Sequence, residues 1–346
     1  MAKKDALIKK IDVQLSGIEL AQKILTDMVQ TGISAIDSKV TKNLQSQLKE
    51  LGNYYISGIQ TQYNTLFLDL KNAKETGYAP IIAHVNFIHI LLKKAKDYLN
   101  ERKKNPEAAP DFHSELEELI YGPLKMADLK KLNFVEKDAE LLQLSYFSYE
   151  DETGKNVISE DYWFNLNNGE LYKNKSSKAL GNWKFVKFSQ DDSVFHILKI
   201  KDLYKSPASR NHKIQWKEEP ESREIIATDF EKIRKSSSEN YEEIIRSVKE
   251  TLKDPLTDPF PIILLQLHKA YINNNHIVIE DKAGNKITLK DSNPSFKSET
   301  ALKAILPEDP KNLTLLVCMN NDLETGILYA QPITLISNDK IVKLLF

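Results

Sequence analysis

Residues 162–172 read YWFNLNNGELY, and this stretch indicates a β-hairpin. Aromatic residues end one extended run, the Asn-Asn-Gly triplet at 167–169 supplies a turn, and a Leu-Tyr pair resumes the apolar pattern. Asn and Gly are preferred in hairpin turns because these turns require positive backbone φ angles. The hairpin therefore predicts that residues 135–218 form a mostly β region.

The β region contains further apolar segments that are rich in aromatic and β-branched residues. Such residues favour strands because their side chains pack well on a pleated surface. The strand candidates on either side of the hairpin are residues 142–147, 183–188, 194–200 and 214–216.

Residues 4–104 have a helical pattern. Apolar residues recur every three or four positions, which places them on one face of a helix. Gly32 is predicted to bend or break the first helix, and Gly77 followed by Pro80 is predicted to end one helix and begin another. The pattern is compatible with either a compact bundle or a coiled coil. Residues 105–110, NPEAAP, are interpreted as a linker.

The remaining segments mix helices and strands. Short helices are predicted at 112–121 and 125–132, and a longer one at 238–253. The apolar run from Pro261 to Ile272 is predicted to be a short buried helix, because it has few polar residues. The predicted C-terminal strands are a hairpin over 276–289 and closing strands at 313–319, 327–329, 333–336 and 341–345.

These patterns predict an α+β fold. An N-terminal long-helix bundle or coiled coil precedes a mostly antiparallel β-rich body with a few helices. The length of 346 residues suits two or three domains. The predicted domains are a helical domain at 1–110, short helices followed by strands at 111–220, and a mixed α+β domain at 221–346.

Composition narrows the function classes. The chain has 48 Lys and Arg and 49 Asp and Glu, so its formal net charge of −1 argues against a dedicated polyanion binder. The single cysteine, Cys318, excludes an intrachain disulfide and a multi-cysteine zinc site. The N-terminal lysines precede no apolar signal segment, and no apolar stretch is long enough to span a membrane. We therefore expect a cytoplasmic protein without membrane contact.

Motifs that carry chemistry are missing from the sequence. It contains no glycine-rich phosphate motif, no GxSxG elbow and no HExxH pair. Cys318 lies in an apolar strand pattern, which favours a buried structural thiol over a nucleophile. The acidic stretches DDSVF at 191–195 and KEEPESRE at 217–224 are interpreted as solvated turns. We expect a non-enzyme without catalytic residues, metal or cofactor.

Basic residues collect at the end of the helix before the linker. Cations there complement the helix macrodipole, which accounts for much of the cluster. More lysines are interleaved with aromatic residues over 162–188, a pattern that suits base stacking but also arises in a strand with inward-facing aromatics. We favour the strand interpretation and keep nucleic-acid binding as an alternative. The candidate nucleic-acid or partner contacts are Lys93, Lys94, Lys96, Arg102, Lys103 and Lys104.

Several segments follow one another in the order of a known family. In the first helix the matching positions are Gly17, Leu20, Leu25, Asp27, Met28, Val29, Gly32 and Ile33. Further matching segments are 117–132, 192–216 (with Leu203, Tyr204 and Pro207), 258–267, 276–289 and 331–346. This order resembles the region C-terminal to the zinc finger in bacterial SWIM zinc-finger proteins.

The resemblance implies partners. Such proteins are generally encoded near a MoxR-type AAA+ ATPase and a von Willebrand A-domain (VWA) protein, so either is an implied protein partner. The SWIM finger itself has the form CxCx(n)CxH, which a chain with one cysteine cannot build. No residue here therefore inherits a metal-ligand role, and the finger lies on another chain or has been lost.

We predict a non-catalytic protein-interaction or scaffold component, an accessory of a MoxR-type AAA+ ATPase and VWA system. One alternative is an accessory protein that binds nucleic acid through the basic patches. A second alternative is a hydrolase whose carboxylates meet only in the fold. A deep pocket with a perturbed acid would favour that second alternative.

Overall fold

A computed structural model describes residues 2–36, 38–150, 156–179, 193–292, 296–322 and 326–345. The chain divides into two compact units, Met1–Lys125 and Met126–Phe346. The predicted α+β class is confirmed, because helices form the first unit and sheets with a few helices form the second.

The first unit consists of helices joined by short turns. Their bounds are α1 Ala2–Thr31, α2 Ser38–Glu50, α3 Ser57–Thr76, α4 Ala79–Lys104 and α5 Leu116–Tyr121. α4 packs against α1 and α3, and α5 packs against α3 and α4, so these helices form a bundle. Residues 111–125 therefore belong with the helices that precede them. The apolar stripes meet in a buried core that includes Ile18, Met28, Leu66, Ile88 and Leu92.

The helix ends follow the glycine and proline signals. Gly32 follows the end of α1 with a φ of 84°, and Gly77 follows the end of α3 with a φ of 76°. Pro80 lies in the first turn of α4, where an N–H would have no helical acceptor. Gly58 in α3 allows a close helix contact, because an added Cβ would lie 2.4 Å from the Leu119 carbonyl oxygen of α5.

The second unit begins with α6, Met126–Lys131, and continues into an antiparallel sheet. Its strand bounds are β1 Val135–Glu150, β2 Asn156–Asn165, β3 Leu171–Ala179, β4 Ile197–Lys205, β5 Ile214–Gln215 and β6 Glu221–Arg223. The strand order is β3-β2-β1-β4-β5, and β6 pairs with β4. β6 lies within the acidic stretch at 217–224, so that stretch is partly a strand and not only a turn.

The predicted hairpin joins β2 to β3. Gly169 has a φ of 80°, and its N–H donates to the Asn165 carbonyl oxygen at 2.8 Å. The Asn165 side chain accepts from the Asn167 N–H at 2.9 Å, so Asn165 stabilises the turn through both its side chain and its backbone oxygen. The strand candidate at 183–188 lies outside the described residues.

A second sheet and its helices complete this unit. The strand bounds are β7 Ile262–Gln266, β8 Lys269–Asn273, β9 His276–Glu280, β10 Lys286–Leu289, β11 Thr314–Asn321, β12 Leu328–Ile336 and β13 Ile341–Lys343. The helix bounds are α7 Ala227–Ser236, α8 Tyr241–Thr251 and α9 Ser298–Ile305. The strand order is β7-β11-β12-β10-β9-β8, with β13 beside β12, and β10 runs parallel to β12.

The predicted helix at 261–272 is wrong. The run forms two strands, β7 and β8, because its first half is apolar on both faces of the second sheet. Ile262 and Leu264 face the first sheet, whereas Ile263 and Leu265 face the core under α8 and α9. A strand buried on both faces has the same continuous apolar sequence as a buried helix, and its β-branched residues are the feature that separates them.

The closing strands predicted at 327–329 and 333–336 are one strand, β12. Pro332 lies inside it and is paired with Val317 of β11. A register shift between Leu316 and Val317 lies at this point, so the ladder already lacks a regular hydrogen bond where proline cannot donate.

The two sheets pack face to face in the second unit. Their shared core contains Leu144 and Phe164 from the first sheet and Leu316 and Ile333 from the second. The Thr334 hydroxyl donates to the Leu144 carbonyl oxygen at 2.7 Å across this interface. The opposite, outer face of the first sheet does not pack on the second sheet.

Candidate functional site

Alternate residues of β1, β2 and β3 form polar rows on the outer face of the first sheet. The register places Tyr146 opposite Asp161, and Asp161 opposite Asn174. A register shift between Gln143 and Ser145 changes which residues of β1 face outward, so Gln143 and Tyr146 share this face although they are three positions apart.

Asp161 lies at the centre of these rows. Its Oδ1 atom accepts a hydrogen bond from Trp163 Nε1 and another from Asn174 Nδ2 at 3.0 Å. Burial raises the pKa of Asp161, and the two donated hydrogen bonds oppose that rise. Within the described residues no donor to Oδ2 is recorded, so this oxygen remains available to a ligand.

Two tryptophans form an aromatic wall beside Asp161. The Trp163 and Trp216 rings meet edge to face, with centroids 5.6 Å apart. Trp163 is buried and Trp216 is half-buried, so Trp216 offers the accessible aromatic surface. Asn174 holds the segment before Trp216 in place, because its Oδ1 accepts from the Ile214 N–H at 2.9 Å.

Hydroxyl and amide groups complete the surroundings. Ser148 Oγ and Ser159 Oγ are 2.9 Å apart. The Gln143 side-chain oxygen, Oε1, accepts from the Val194 N–H at 2.8 Å and from Lys343 Nζ at 3.1 Å, which leaves the side-chain NH2 group as a donor. Donors and acceptors are thus mixed around one aromatic wall.

The rows and the wall line a cavity of about 460 Å³ that is widely open to solvent. That volume falls in the usual range for small-molecule sites. Its lining residues are Gln143, Tyr146, Ser159, Asp161, Trp163, Asn174, Ser176, Lys178, Val194, Leu198, Ile214, Gln215 and Trp216. Among these, Asp161 is the single carboxylate, so the described lining lacks the carboxylate pair that glycoside hydrolysis requires.

The predicted basic contacts lie on α4, and most of them are ion-paired within the first unit. Lys96 Nζ is 3.6 Å from Glu19, and Lys103 Nζ is 2.6 Å from Asp12. These pairs tie α4 to α1. Lys104 pairs with Glu101 of its own helix at 2.7 Å, and Lys94 also has an interaction partner. Lys93 is exposed.

Arg102 has a structural environment. Its guanidinium is 3.5 Å from the buried Glu117 carboxylate of α5, and it lies over the Tyr98 ring with the centroid 5.7 Å away. The Tyr98 hydroxyl donates to the same carboxylate. Arg102 thus holds α5 on α4, and the basic group as a whole does not form an unpaired cationic surface within the described residues.

The lysines and aromatic residues over 162–179 also pack together. Tyr162, Phe164 and Tyr172 are buried, so their faces are closed to a nucleotide base. Lys173 Nζ is 2.8 Å from Asp258, and Lys175 Nζ is 3.0 Å from a Glu160 oxygen. Tyr162 and Phe164 face the core between the sheets, as the favoured interpretation predicts, whereas Trp163 and Tyr172 are buried on the outer face. Residues 180–188 of this stretch lie outside the described residues.

Other candidates from the sequence have no role in the cavity. Cys318 is buried in β11, as predicted for this thiol, and burial raises its pKa to about 12. The described residues hold no cluster of three or more histidine, cysteine or acidic side chains that would suit a metal ion. Likewise, none of the helices described combines the length and the apolar character needed to cross a membrane.

Comparisons with known proteins leave the family open. No family model matches the chain, and no curated protein matches it. The crystal structure of the Cpx pathway activator NlpE from Escherichia coli is similar over 58% of this chain and 98% of that chain, at 7% sequence identity and a TM-score of 0.17. A TM-score this low supports no conclusion about fold or function. The SWIM resemblance stays a prediction.

The cavity was missed at the level of sequence. Its residues come from five strands, β1 to β5, and from two residues beside them, and they become neighbours only through strand register. One signal was available in the sequence. Counting outward from the Asn-Asn-Gly turn predicts which residues of β2 and β3 are opposite each other, and it therefore predicts a polar row across the hairpin. The pairs on this face are Trp163 with Tyr172, Asp161 with Asn174 and Ser159 with Ser176. The contribution of β1 was not readable, because the bulge in β1 leaves no mark in the sequence.

Proposed function

We propose that this protein is a non-catalytic binding protein whose ligand is a small, neutral, hydroxyl-rich ring compound, of the saccharide class, held in the outer cavity of the first sheet. The observation that carries the proposal is the position of Asp161, a partly buried carboxyl that lines the cavity together with Trp216 and whose recorded hydrogen bonds all go to Oδ1.

The chemistry of the lining supports this ligand class. A saccharide ring has apolar C–H faces that pack on aromatic surfaces, and hydroxyl groups that both donate and accept hydrogen bonds. Trp216 provides the aromatic surface, while Asp161 and Gln143 provide an acceptor and a donor held by other hydrogen bonds. A preordered set of this kind loses little conformational entropy when a ligand binds.

Binding fits the cavity better than hydrolysis does. A hydrolytic site needs a second carboxylate or an activated nucleophile near the first acid. The described lining offers Ser159 and Ser176, and neither is within hydrogen-bond distance of a histidine or Asp161. We therefore expect occupancy of the cavity without turnover.

The test is a thermal-shift and calorimetric screen of the full chain against neutral hexoses, N-acetylhexosamines and disaccharides. A ligand that binds the folded state raises the melting temperature in a saturable way. Trp216→Ala and Asp161→Ala should each weaken binding about tenfold or more, the loss expected for one buried contact.

The matched control is Asp97→Ala, which removes an exposed carboxylate of α4 and should leave binding unchanged. The proposal is wrong if no saccharide shifts the melting temperature, or if both cavity variants bind as the wild type does. Release of a cleaved product would instead restore the hydrolase alternative.

A further inference from the structure

The second sheet has an uncovered edge at β8. β8 pairs with β9 on one side and with no described strand on the other. The opposite edge of this sheet differs, because residue Ser238 donates to and accepts from β7 and so covers it. Uncovered edge strands are the usual places where another strand adds to a sheet.

The turn between β8 and β9 fixes which backbone groups face outward. Asn274 and Asn275 have φ angles of 47° and 67°, as in a two-residue turn of type I′. The flanking pair, Asn273 and His276, is then hydrogen-bonded, and pairing alternates along the ladder. Ile277 accordingly directs its N–H away from β8, to the Glu299 carboxylate at 3.0 Å.

This alternation leaves the N–H and C=O groups of Ala270 and Ile272 pointing away from β9. No described residue is recorded as their partner. The Ile272 side chain is also 67% exposed, the highest exposure of any large apolar residue in the described chain. The edge thus presents both unpaired backbone groups and an uncovered apolar side chain.

We propose that β8 pairs antiparallel with β8 of a second copy of this chain, about a two-fold axis at Tyr271. In this register Ala270 of one copy faces Ile272 of the other, and the outward N–H and C=O groups of both residues are satisfied in both copies. A shift of the register by one residue would leave these groups unpaired.

The side chains are self-complementary in the same register. On one face, Ile272 of one copy extends the apolar row formed by Ala270, Ile279 and Ile287 of the other. Its exposed surface is covered there by a continuation of the second-sheet core. Self-pairing thus gives Ile272 an apolar environment.

The charges also fit a second copy. On the other face, Lys269 is opposite Asn273 of the other copy, and its charge is already paired with Glu280 at 3.3 Å. Tyr271 meets its own counterpart, and Lys286 lies over its ring at 5.9 Å. No like charges become direct neighbours in this register. Edge strands that resist pairing with another chain usually carry a lysine in the middle of the strand, and the middle residue of β8 is Tyr271.

The short edge predicts a weak, concentration-dependent dimer, because five residues cover less area than a standard stable interface. Sedimentation velocity of the full chain over a wide concentration range should show a monomer–dimer equilibrium. Ile272→Pro removes an outward N–H that β9 does not use, so the fold should persist while dimerisation weakens about tenfold or more. Val29→Lys, at an exposed apolar residue of α1, is the matched control and should leave the equilibrium unchanged.

Disulfide trapping tests the register. Tyr271→Cys places two thiols opposite each other at the two-fold axis and should yield an oxidised dimer, whereas Lys269→Cys, which faces Asn273, should not. The native Cys318 is buried and does not compete.

A chain that stays monomeric at every concentration overturns the proposal. The proposal is also overturned if Ile272→Pro leaves the dimer unchanged, or if Lys269→Cys and Tyr271→Cys give equal amounts of disulfide-linked dimer. It is overturned as well if the edge binds only an extended peptide of another protein. The proposal is independent of the ligand cavity, which lies on the other sheet.

Discussion

Asp161 combines a hydrogen-bonded oxygen, an available oxygen and a raised pKa in one side chain. Burial is the cause of the raised pKa, so the folded state binds a proton more tightly than the unfolded chain does. A carboxyl of this kind contributes stability at acid pH, and the contribution is lost as the pH rises through the folded-state pKa. The residue therefore lowers the stability of the fold at neutral pH, as ligand-binding groups often do.

Asp161→Asn should remove this pH dependence. An asparagine amide oxygen still accepts from Trp163 and Asn174, and it carries no charge to desolvate. We expect the variant to melt at the same temperature as the wild type, or higher, at pH 7. The difference should vanish near the ordinary aspartate pKa of about 3.9. Melting curves across this pH range check the prediction, with Asp97→Asn as the control. A variant less stable than the wild type at pH 7 contradicts it.

Arg223 joins three elements of the second unit. Its guanidinium donates to Glu140 of β1 at 2.6 Å and to Asp229 of α7 at 2.7 Å. Asp229 in turn accepts from the Ile226 N–H at 3.0 Å and so caps α7. The Arg223 hydrogen bond lowers the pKa of Glu140, and it lowers the pKa of Asp229 against the effect of burial.

Arg223→Met should destabilise the second unit by about 3 kcal/mol at neutral pH, because it leaves two carboxylates without their cation. Both pKa values are lowered in the fold, so their contribution is present at neutral pH and is lost as the pH falls. The cost of the substitution should therefore shrink on acidification. Urea unfolding at neutral and acid pH measures it, and Arg246→Met, at an exposed position of α8, is the control. An equal cost at both pH values is the contrary outcome.

The contact between α3 and α5 depends on Gly58. A Cβ there would lie 2.4 Å from the Leu119 carbonyl oxygen and 2.6 Å from that of Glu118, and backbone atoms cannot move as a side-chain tip can. Gly58→Ala should destabilise the helical unit by about 1–3 kcal/mol, the usual cost of overpacking. Gly52→Ala is the control, since its Cβ would meet only the Gln60 side chain at 3.5 Å. Thermal unfolding compares the two, and equal melting temperatures would contradict the prediction.

Elements were predictable where one local rule decided them. The long helices of the first unit followed from apolar spacing, and the β2–β3 hairpin followed from the Asn-Asn-Gly turn. The run at 261–272 was misassigned because burial on both faces removes the alternation that marks a strand. α7 was missed because, between Ala227 and Ser236, only Phe230 and Ile233 are large apolar residues, and its N-cap residue, Ile226, is not one of the usual capping residues. The cavity depended on register, which local patterns do not carry.

The predicted partnership belongs to the scale of the whole molecule. If the protein is an accessory of a MoxR-type AAA+ ATPase and a VWA-domain protein, affinity purification of the tagged chain should recover one of them at low and moderate salt. Ion pairs already occupy most of the basic residues of α4, so we expect little nucleic acid in the eluate. Nucleic acid that is recovered and lost at moderate salt would favour the alternative, and a nuclease-treated sample is the control.

The hydrogen bond from Thr334 to Leu144 joins residues 190 positions apart. During synthesis the first sheet leaves the ribosome long before the strands that cover its inner face. At about 5–20 residues per second, that interval lasts about 10–40 s. Until those strands emerge, the apolar face that includes Leu144 and Phe164 is at most partly covered by β7, and exposed apolar surface of this kind favours aggregation and chaperone binding. The order of the strands along the chain thus makes the time for which this apolar face is exposed depend on the rate of translation.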